Sequence, residues 1–482
     1  MKRSGVALGA IVVVGAALRA YNLGAQSLWI DELEEGHTAR AALPKLFEYV
    51  RADAGGVPLD YLGVRLTTTI FGGGTVGTRL WALTMGCLAI VVIFFVAQAW
   101  FASASAGLAA AALLALSPFH IYYSREARPY ALSALAVVVL LLLYHHALGK
   151  RDLKRWLLFG GALGIALYAH YFLALLVIPA AIVLAVFRWG EWRRSGVEAL
   201  NFTAGMALAA LLFAPWVLYS SLGQLHDLGW PPPPPLDLHR LFQIFDTLLG
   251  LGALGLAQAP SGDFGPLHKR EALLTVSVLL AATAGLVLEL RRGRYLVLLA
   301  ALVPLLAIPV AWAADQRQHY FWSERQVIFV LPCVYLLAAV AVARIASLRA
   351  LARMAPAAAV AALVLWAALS FGSIEKIYQG QWLPKADWRD ASAFAASRSR
   401  ADTRVYSFLN DQFAYGVAYY QPQLEPRGRT VDASPQGLAG VDLKPDDLVV
   451  AQPDASLAEL LASRSFSYRD FAGGIRIYFH PD

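Results

Sequence analysis

The stretch Ser27–Arg40, SLWIDELEEGHTAR, brings four carboxylates and a histidine together directly after the first apolar segment, Val6–Ala20. A carboxylate near a membrane face can deprotonate an acceptor hydroxyl as a general base. Because ionisable groups are costly in hydrocarbon, the cluster is expected where that segment leaves the membrane. We therefore predict that Asp31 and Glu32 begin an active site at one membrane face. The alternative is that they only cap a surface helix whose N-cap is Ser27, since acids suit a first turn.

Arginines form the second group of candidates. The segment PFHIYYSREARPY, residues 118–130, is too polar to be buried in lipid. It carries Arg125, Glu126 and Arg128, while Arg325 ends another polar stretch, DQRQHYFWSER. A guanidinium forks onto phosphate with two hydrogen bonds and can stabilise a phosphate leaving group as its charge develops. The alternative is ordinary pairing with Glu126 or with lipid headgroups, to which interfacial arginines snorkel.

Histidines and the remaining acids are weaker candidates. His170 interrupts a long apolar stretch, and a hydrogen-bonded histidine inside a helical bundle is as good an interpretation as a catalytic one. His37 and His319 carry less weight still. Glu34 and Glu35 are expected to face solvent.

Composition limits what can position these residues. The chain has 482 residues, of which 58% are hydrophobic and 15% charged, and its mean hydropathy is +0.54. Soluble domains are about a quarter charged, and several apolar runs here exceed the roughly 17–25 residues that span a bilayer. Because lipid requires backbone groups to be satisfied within helices, the sequence predicts an all-α polytopic membrane bundle.

The distribution of the basic residues and the cysteines argues against other classes of protein. The net charge is +7, but the basic residues gather in short clusters between apolar runs, as membrane orientation requires. The basic stripe of a nucleic-acid-binding protein is absent, so no nucleic-acid partner is expected. Cys87 and Cys333 both fall in predicted spans, which argues against a structural disulfide or a metal centre built on cysteine.

The apolar runs and basic clusters predict about eleven transmembrane helices, with a cytoplasmic N-terminus. The first external loop is expected to hold interfacial helices at Glu35–Val50 and Pro58–Phe71. Two short spans on either side of His170 fit the basic clusters better than one long span. The last span is expected at about Ala355–Phe371.

After that span the composition becomes that of a soluble protein. Segments such as Thr403–Phe408, Leu448–Ala451 and Gly474–Phe479 have the composition of strands, and Asp387–Ala396 that of a helix. We therefore predict a transmembrane domain over residues 1–371 and a small extracytoplasmic α/β domain over residues 372–482. The same topology places most of the unusual polar residues at the external face: Asp31, Glu32, Arg125, Glu126, Arg128, His170, Tyr171, His319 and Arg325.

Five short segments carry a resemblance to a known family. They are RAYNLGAQSLWIDE, YSREARPYAL, AHYFLALL, ERQVIFVLPCVYLL and KADWRDASAF, in this order over nearly the whole chain. Together they resemble the membrane-embedded glycosyltransferases of the GT-C fold. The nearest branch contains the protein O-mannosyltransferases and the lipid A aminoarabinose transferase (glycosyltransferase family 39), and YSREARPYAL is similar to a signature of bacterial members.

The resemblance implies that the protein lies in a bacterial inner membrane and transfers a sugar from a polyprenyl-phosphate donor. The implied transfer takes place outside the cytoplasm and inverts the configuration at the anomeric carbon. The resemblance implies Asp31 as the base or as a carboxylate that positions the acceptor, with Glu32 as its support. It also implies Arg128, Arg325 and Arg125 as contacts of the donor phosphate. The expected partners are the donor, membrane lipids and a lipid, glycan or protein acceptor. No cofactor is expected to be required, and a divalent metal is the less favoured alternative. The residues expected to line the cavity are Tyr123, Glu126, His170, Tyr171, His319 and Tyr320.

Two other functions are compatible with parts of this pattern. A transporter or flippase of lipid-linked sugars would place ionisable residues near the membrane midplane and use internal repeats, whereas here the charges gather at one edge and no repeat stands out. A non-catalytic scaffold would use its external domain to bind a partner.

Overall fold

The computed structural model describes most of the chain. The described residues are 2–53, 56–150, 152–192, 196–220, 233–251, 269–319, 322–345, 355–382, 385–400, 402–408, 416–417, 419–421, 428–430, 438 and 441–481.

Helices make up most of the described residues before residue 383. In chain order the helices are α1 Lys2–Ala20, α2 Ile30–Arg40, α3 Leu43–Ala52, α4 Pro58–Phe71, α5 Thr75–Phe101, α6 Ala104–Ala115, α7 Pro118–Tyr123, α8 Tyr130–Lys150, α9 Leu153–Leu167, α10 Val177–Trp192, α11 Val197–Tyr219, α12 Leu238–Gly250, α13 Lys269–Leu290, α14 Val297–Gln318, α15 Leu331–Ile345, α16 Ala355–Tyr378, α17 Trp388–Arg398 and α18 Ala455–Ala462. Two 3-10 helices, Tyr171–Leu176 and Glu324–Val330, lead directly into α10 and α15.

The protein is a multi-pass membrane protein. Within the described residues, eight helices are long and apolar enough to cross a bilayer, and the helices over 104–115 and 171–187 are apolar but shorter. The predicted class, a polytopic helical bundle with a small α/β domain at its C-terminal end, is confirmed. The last predicted span was too short, because α16 continues past Phe371 to Tyr378.

The break predicted at His170 is present. Helix α9 ends at Leu167, and the chain turns through His170 into the 3-10 helix before α10 begins. Helix α9 packs closely on α11, where Gly160 and the backbone of Gly205 are in direct contact. Small residues at such crossings let two helix backbones approach.

The first loop contains three helices, where two were predicted. The helix at Pro58–Phe71 has the predicted bounds, but the predicted helix over Glu35–Val50 is two helices that meet at Ala41, whose backbone is extended. Pro44 explains the interruption, since proline has no N–H to donate to the carbonyl four residues earlier and its ring clashes with that carbonyl.

A five-stranded mixed sheet forms the C-terminal part. Its strands are β1 Val405–Ser407, β2 Gly428–Thr430, β3 Leu448–Ala451, β4 Ser467–Phe471 and β5 Ile475–Phe479. The order is β2-β1-β3-β5-β4; β1 is parallel to β2 and β3, and β5 is antiparallel to β3 and β4. The strands predicted over residues 403–408, 448–451 and 474–479 correspond to β1, β3 and β5.

Helices cover both faces of the sheet, as the alternation of β3 requires. Leu448 and Val450 share a core with Trp388 of α17, whereas Val449 lies in a second core with Leu457 of α18. All four residues of β3 are buried, so this strand is the centre of the sheet.

The chain divides into two compact units. Unit 1 comprises Met1–Tyr21, Phe47–Gly63 and Arg79–Trp382, and unit 2 comprises Asn22–Leu46, Val64–Thr78 and Leu383–Asp482. The predicted domain boundary between residues 371 and 372 stays a prediction.

Candidate active site

In unit 1, the YSREARPY segment is a sharp turn between two helices. Helix α7 begins after Ser117, whose side chain accepts the N–H of His120, with Pro118 at the first helical position. The turn closes through the N–H of Arg128, which donates to the carbonyl of Glu126 at 2.8 Å, before α8 begins at Tyr130. Because Arg128 precedes a proline, the helical conformation is disfavoured there, and its side chain projects from a turn.

Arg128, Arg325 and their neighbours form one electrostatically connected group. The Arg325 guanidinium lies 5.5 Å from the centre of the Tyr130 ring, within the range of a cation–π contact. Burial raises the pKa of Tyr123 well above its usual value; Glu126 and Glu324 raise it further, and Arg325 lowers it. We call this set the Arg128 group: Tyr123, Glu126, Arg128, Tyr130, His170, Glu324 and Arg325.

His170 joins the group as a neutral side chain. Its ring lies 6.5 Å from that of Tyr130 and is stacked on Tyr171 at 5.6 Å. Its Nδ1 accepts the N–H of Phe172 at 3.3 Å and so caps the 3-10 helix. Burial, and then the charge of Arg128, lower the pKa of His170 to about 4. Because Nδ1 accepts the hydrogen bond from Phe172, the proton of the neutral ring is on Nε2, which is therefore a hydrogen-bond donor.

Asp60 is a carboxylate of the same neighbourhood that was not predicted. It lies in the first turn of α4, which is tied to the turn before His170 by the N–H of Leu59 donating to the carbonyl of Tyr168 at 3.0 Å. Asp60 is 1% exposed, and burial raises its pKa to about 7 against the opposing effects of Arg128 and the Trp81 indole. Within the described part of the chain, neither carboxylate oxygen has a partner at hydrogen-bonding geometry.

Arg125 lies in the same turn with a different set of contacts. Its guanidinium donates to the carbonyls of Leu18 and Arg19 at the end of α1 and lies 5.0 Å from the centre of the Tyr378 ring. These contacts give Arg125 a clear structural role, because they satisfy carbonyls that a helix end leaves without partners. Its predicted contact with donor phosphate stays a prediction.

In unit 2, the acidic stretch forms helix α2, and its acids divide between two sides. Glu32 and Glu35 are fully buried, whereas Asp31 and Glu34 are half-buried. The prediction that Glu35 faces solvent was therefore wrong, because it lies three residues after Glu32 and so on the same face of the helix.

The alternative that Ser27 caps a surface helix is wrong, although Asp31 and Glu32 do lie in the first turn of α2. Helix α2 begins at Ile30 with Trp29 at the N-cap, and the Trp29 side chain makes no capping hydrogen bond. Ser27 instead accepts the N–H of Arg389 at 3.1 Å and donates to the Tyr420 hydroxyl at 3.3 Å. A helix with two fully buried acids is not a surface helix.

Lys385 and Arg389 explain why the KADWRDASAF segment accompanies the acids. The Lys385 ammonium lies 2.7 Å from Oε2 of Glu32, and both side chains are buried. The Arg389 guanidinium donates to the carbonyls of Gly24 and Ala25 at 3.2 and 2.9 Å. Unit 2 thus fixes the segment before α2 and neutralises Glu32, so that the ionised carboxylate can stay buried.

Of the last two predicted lining residues, His319 and Tyr320, the structure describes His319 at the end of α14. His319 ends that helix with a left-handed backbone (φ 46°), its N–H donating to the carbonyl of Asp315 at 2.8 Å. Tyr320 lies outside the described residues.

In the described part of the chain, no group of three or more His, Cys, Asp or Glu side chains is placed to hold a metal ion. The prediction that no cofactor is required remains a prediction.

Each residue missed from the sequence left only a weak signal. Asp60 is a lone acid in the helical pattern PLDYLG, and Glu324 is the neighbour of a predicted arginine. Lys385 lies in the segment KADWRDASAF, in which nothing indicates that it pairs with an acid of α2. Tyr130 ends the YSREARPY segment.

One family model matches the chain. It is that of the dolichyl-phosphate-mannose-protein mannosyltransferases, and it matches residues 58–219. No curated protein matches the chain.

Solved structures of two other proteins share the fold. ArnT from Cupriavidus metallidurans in the apo state is 14% identical, with a TM-score of 0.64 over 100% of both chains. The same protein bound to undecaprenyl phosphate is 15% identical, with a TM-score of 0.60 over 98% of both chains. The oligosaccharyltransferase of Archaeoglobus fulgidus is 13% identical, with a TM-score of 0.57 over 93% of this chain and 69% of that one. The shared fold and the family match confirm the predicted resemblance to the glycosyltransferases of the GT-C fold.

Proposed function

We propose that the protein transfers a sugar from a polyprenyl-phosphate-linked donor to an acceptor hydroxyl. The reaction takes place at the extracytoplasmic face of a bacterial cytoplasmic membrane, with the N-terminus in the cytoplasm. The acceptor is a lipid, a glycan or a protein.

The observation that carries this proposal is the Arg128 group. Two guanidinium groups, those of Arg128 and Arg325, come from segments almost 200 residues apart. Arg325 lies 5.5 Å from the centre of the Tyr130 ring, and Arg128 acts on His170, whose ring lies 6.5 Å from that of Tyr130. Arginine is the side chain best suited to grip a phosphate with two parallel hydrogen bonds. The same fold in ArnT has been solved with undecaprenyl phosphate bound, which supports a prenyl phosphate as the ligand here.

Chemically, the reaction needs a base and a stabilised leaving group. Asp31 takes the proton of the acceptor hydroxyl, and the oxygen attacks the anomeric carbon from the face opposite the phosphate. The bond between that carbon and the phosphate oxygen breaks, and the electron pair leaves with the prenyl phosphate. Arg128 and Arg325 stabilise the added charge on the phosphate. The configuration at the anomeric carbon is inverted, and Glu32, held by Lys385, supports the helix that carries Asp31.

The test measures sugar transfer from a labelled polyprenyl-phosphate donor by the purified protein in nanodiscs. Asp31→Asn should lower the transfer rate by roughly 10²–10⁴, as loss of a general base does, while donor binding persists. Glu34→Gln, on the same helix with similar exposure, is the matched control and should retain activity. Unchanged transfer in Asp31→Asn would remove this residue from the mechanism.

A second measurement separates transfer from transport. Sealed vesicles carrying the protein are given labelled lipid-linked sugar in one leaflet, with and without cell-envelope extract as acceptor. Movement of the lipid to the other leaflet without any sugar transfer would favour the flippase and contradict the proposed reaction.

A further inference from the structure

The charges of the Arg128 group and Asp60 do not favour an anion when all are ionised. Two cations, Arg128 and Arg325, share this region with three acids: Asp60, Glu126 and Glu324. With every group ionised the sum is −1, and with Asp60 protonated it is zero. Since like charges repel strongly where water is excluded, a phosphate is bound more easily when one acid is neutral.

Asp60 is the acid best placed to be that neutral group. Its side chain is almost fully buried. Among the described residues the Trp81 indole acts on the carboxylate, but neither carboxylate oxygen nor Trp81 Nε1 meets the geometry of a hydrogen bond. An ionised carboxylate without hydrogen bonds is expensive to bury, whereas a protonated carboxyl is a hydrogen-bond donor in search of an acceptor. Arg128 is the charged residue that acts on it, and His170, which Arg128 also influences, is neutral.

We propose that Asp60 is a further residue of the donor site and that its protonated carboxyl donates a hydrogen bond to a phosphate oxygen held by Arg128. The inference rests on the proposed function, because it takes a phosphodiester as the ligand. When Asp60 loses its proton, the carboxylate repels the phosphate and competes with it for the Arg128 guanidinium. Binding of the donor therefore requires the acid form of Asp60 and weakens as pH rises.

Asp60 loses its proton in the neutral pH range, because burial raises its pKa to about 7. Below this pH the carboxyl is protonated and the site accepts the anion. Above it, binding should fall by about tenfold for each further pH unit, because the competent fraction falls in that ratio. His170 does not confuse the profile, since its pKa is lowered to about 4.

The experiment measures binding of a short-chain prenyl methyl phosphodiester to the whole protein in nanodiscs between pH 5 and 9. This probe keeps a single negative charge throughout that range, so changes in affinity report on the protein. The wild-type protein should bind it with constant affinity below pH 6 and progressively more weakly above pH 7. Asp152→Asn, at the exposed N-cap of α9, is the matched control and should show the wild-type profile.

Two variants of Asp60 test the hydrogen bond. Asp60→Asn keeps a donor of the same shape that cannot ionise, so its affinity should stay near the wild-type low-pH value at every pH. Asp60→Leu should also be independent of pH but weaker by roughly ten- to hundredfold, the usual value of a hydrogen bond to a charged group. A pH profile in Asp60→Asn equal to that of the wild type would overturn the proposal, whether or not Asp60→Leu folds.

Two further arms keep this result separate from the proposed function. Arg128→Gln should abolish binding of the probe; if it does not, the phosphate site of the proposed function is wrong. If Arg128→Gln abolishes binding but Asp60 variants keep the wild-type pH profile, only the role of Asp60 is wrong. Displacement of the probe by phosphatidylglycerol in the nanodisc, with phosphatidylcholine as control, would instead make a lipid headgroup the occupant and overturn the donor assignment.

Discussion

Glu32 and Lys385 form a buried ion pair between residues that are 353 positions apart in the sequence. Removing one partner of such a pair leaves an uncompensated charge, which usually costs about 3–5 kcal/mol. We expect Lys385→Met to lower the unfolding temperature of the protein markedly, measured by tryptophan fluorescence in detergent. Arg155→Met is the control, because its ion pair with Asp152 is exposed and such pairs contribute about 0–1 kcal/mol.

The double variant Glu32→Gln with Lys385→Met completes the test of this pair. It removes both charges, so it should be more stable than Lys385→Met alone. An unfolding temperature for Lys385→Met within error of the wild type would show that the buried charge of Glu32 is balanced in another way.

Residue types suggested candidates for the chemistry but did not indicate the contacts that those residues make. The arginines of YSREARPY and Arg325 could be chosen because positive charge on a side that is predicted to be translocated needs a reason. Lys385 could not be assigned to Glu32, since spacing along a chain does not indicate which distant segments meet. Asp60 gave little signal because the sequence does not contain the burial that raises its pKa.

At the scale of elements, the contact between α9 and α11 depends on glycine. A Cβ at Gly160 would lie 1.9 Å from the carbonyl oxygen of Gly205, whereas at Gly161 the nearest atom is Cδ2 of Leu208 at 3.8 Å. Gly160→Ala should therefore force the helices apart and destabilise the protein by about 1–3 kcal/mol. Gly161→Ala should be neutral or slightly stabilising, because alanine favours a helix by about 1 kcal/mol over glycine.

Thermal unfolding of the two alanine variants, side by side, checks this prediction. They differ only in which of two adjacent positions carries the methyl group, so helix propensity and detergent effects cancel. Equal unfolding temperatures would mean that α9 and α11 do not approach as closely as the structure has them.

Elements were predictable where a local rule fixes their ends. Pro58 at the first position and a regular apolar spacing define α4 without reference to the rest of the chain. The division between α2 and α3 also has a local cause, Pro44, although the apolar pattern alone predicted a continuous helix. The extra turns of α16 beyond Phe371 had no such signal, because Ser373 and Lys376 are polar. Within the bundle, Ser373 donates to the carbonyl of Gly250, and Lys376 donates to the carboxylate of Glu271.

At the scale of unit 1, the arginines that cluster around Glu289 and the Arg128 group lie at opposite ends of the bundle. Glu289 accepts hydrogen bonds from Arg292, Arg294 and Arg344, at 3.1, 3.2 and 2.7 Å. Arg344 lies in the last turn of α15, and Arg325 in the 3-10 helix that leads into it. With a rise of about 2.0 Å per residue in the 3-10 helix and about 1.5 Å in α15, residues 324–345 span roughly 35 Å. This length is close to the thickness of the hydrocarbon core.

This separation gives the predicted orientation a physical basis. The Glu289 cluster gathers arginines from two cytoplasmic loops of the predicted topology, as the positive-inside rule expects. Trp382, just after α16, packs on Tyr122 at 4.5 Å between ring centres and so marks the opposite end. A chemical label can therefore distinguish the two faces with one exposed position at each end of the same unit.

We expect a membrane-impermeant maleimide to label Gln381→Cys in intact spheroplasts, and to label Arg291→Cys only after the membrane is permeabilised. Both positions are exposed, and the background carries Cys87→Ala and Cys333→Ala so that the new thiol is the reactive one. The background without a new cysteine is the control for both. Labelling of Arg291→Cys in intact spheroplasts, with protection of Gln381→Cys, would place Arg128 and Arg325 at the cytoplasmic face of the membrane. Because the proposed donor would then present its phosphate on the cytoplasmic side, the reaction could not be extracytoplasmic, whatever the activity of the Asp31 variant.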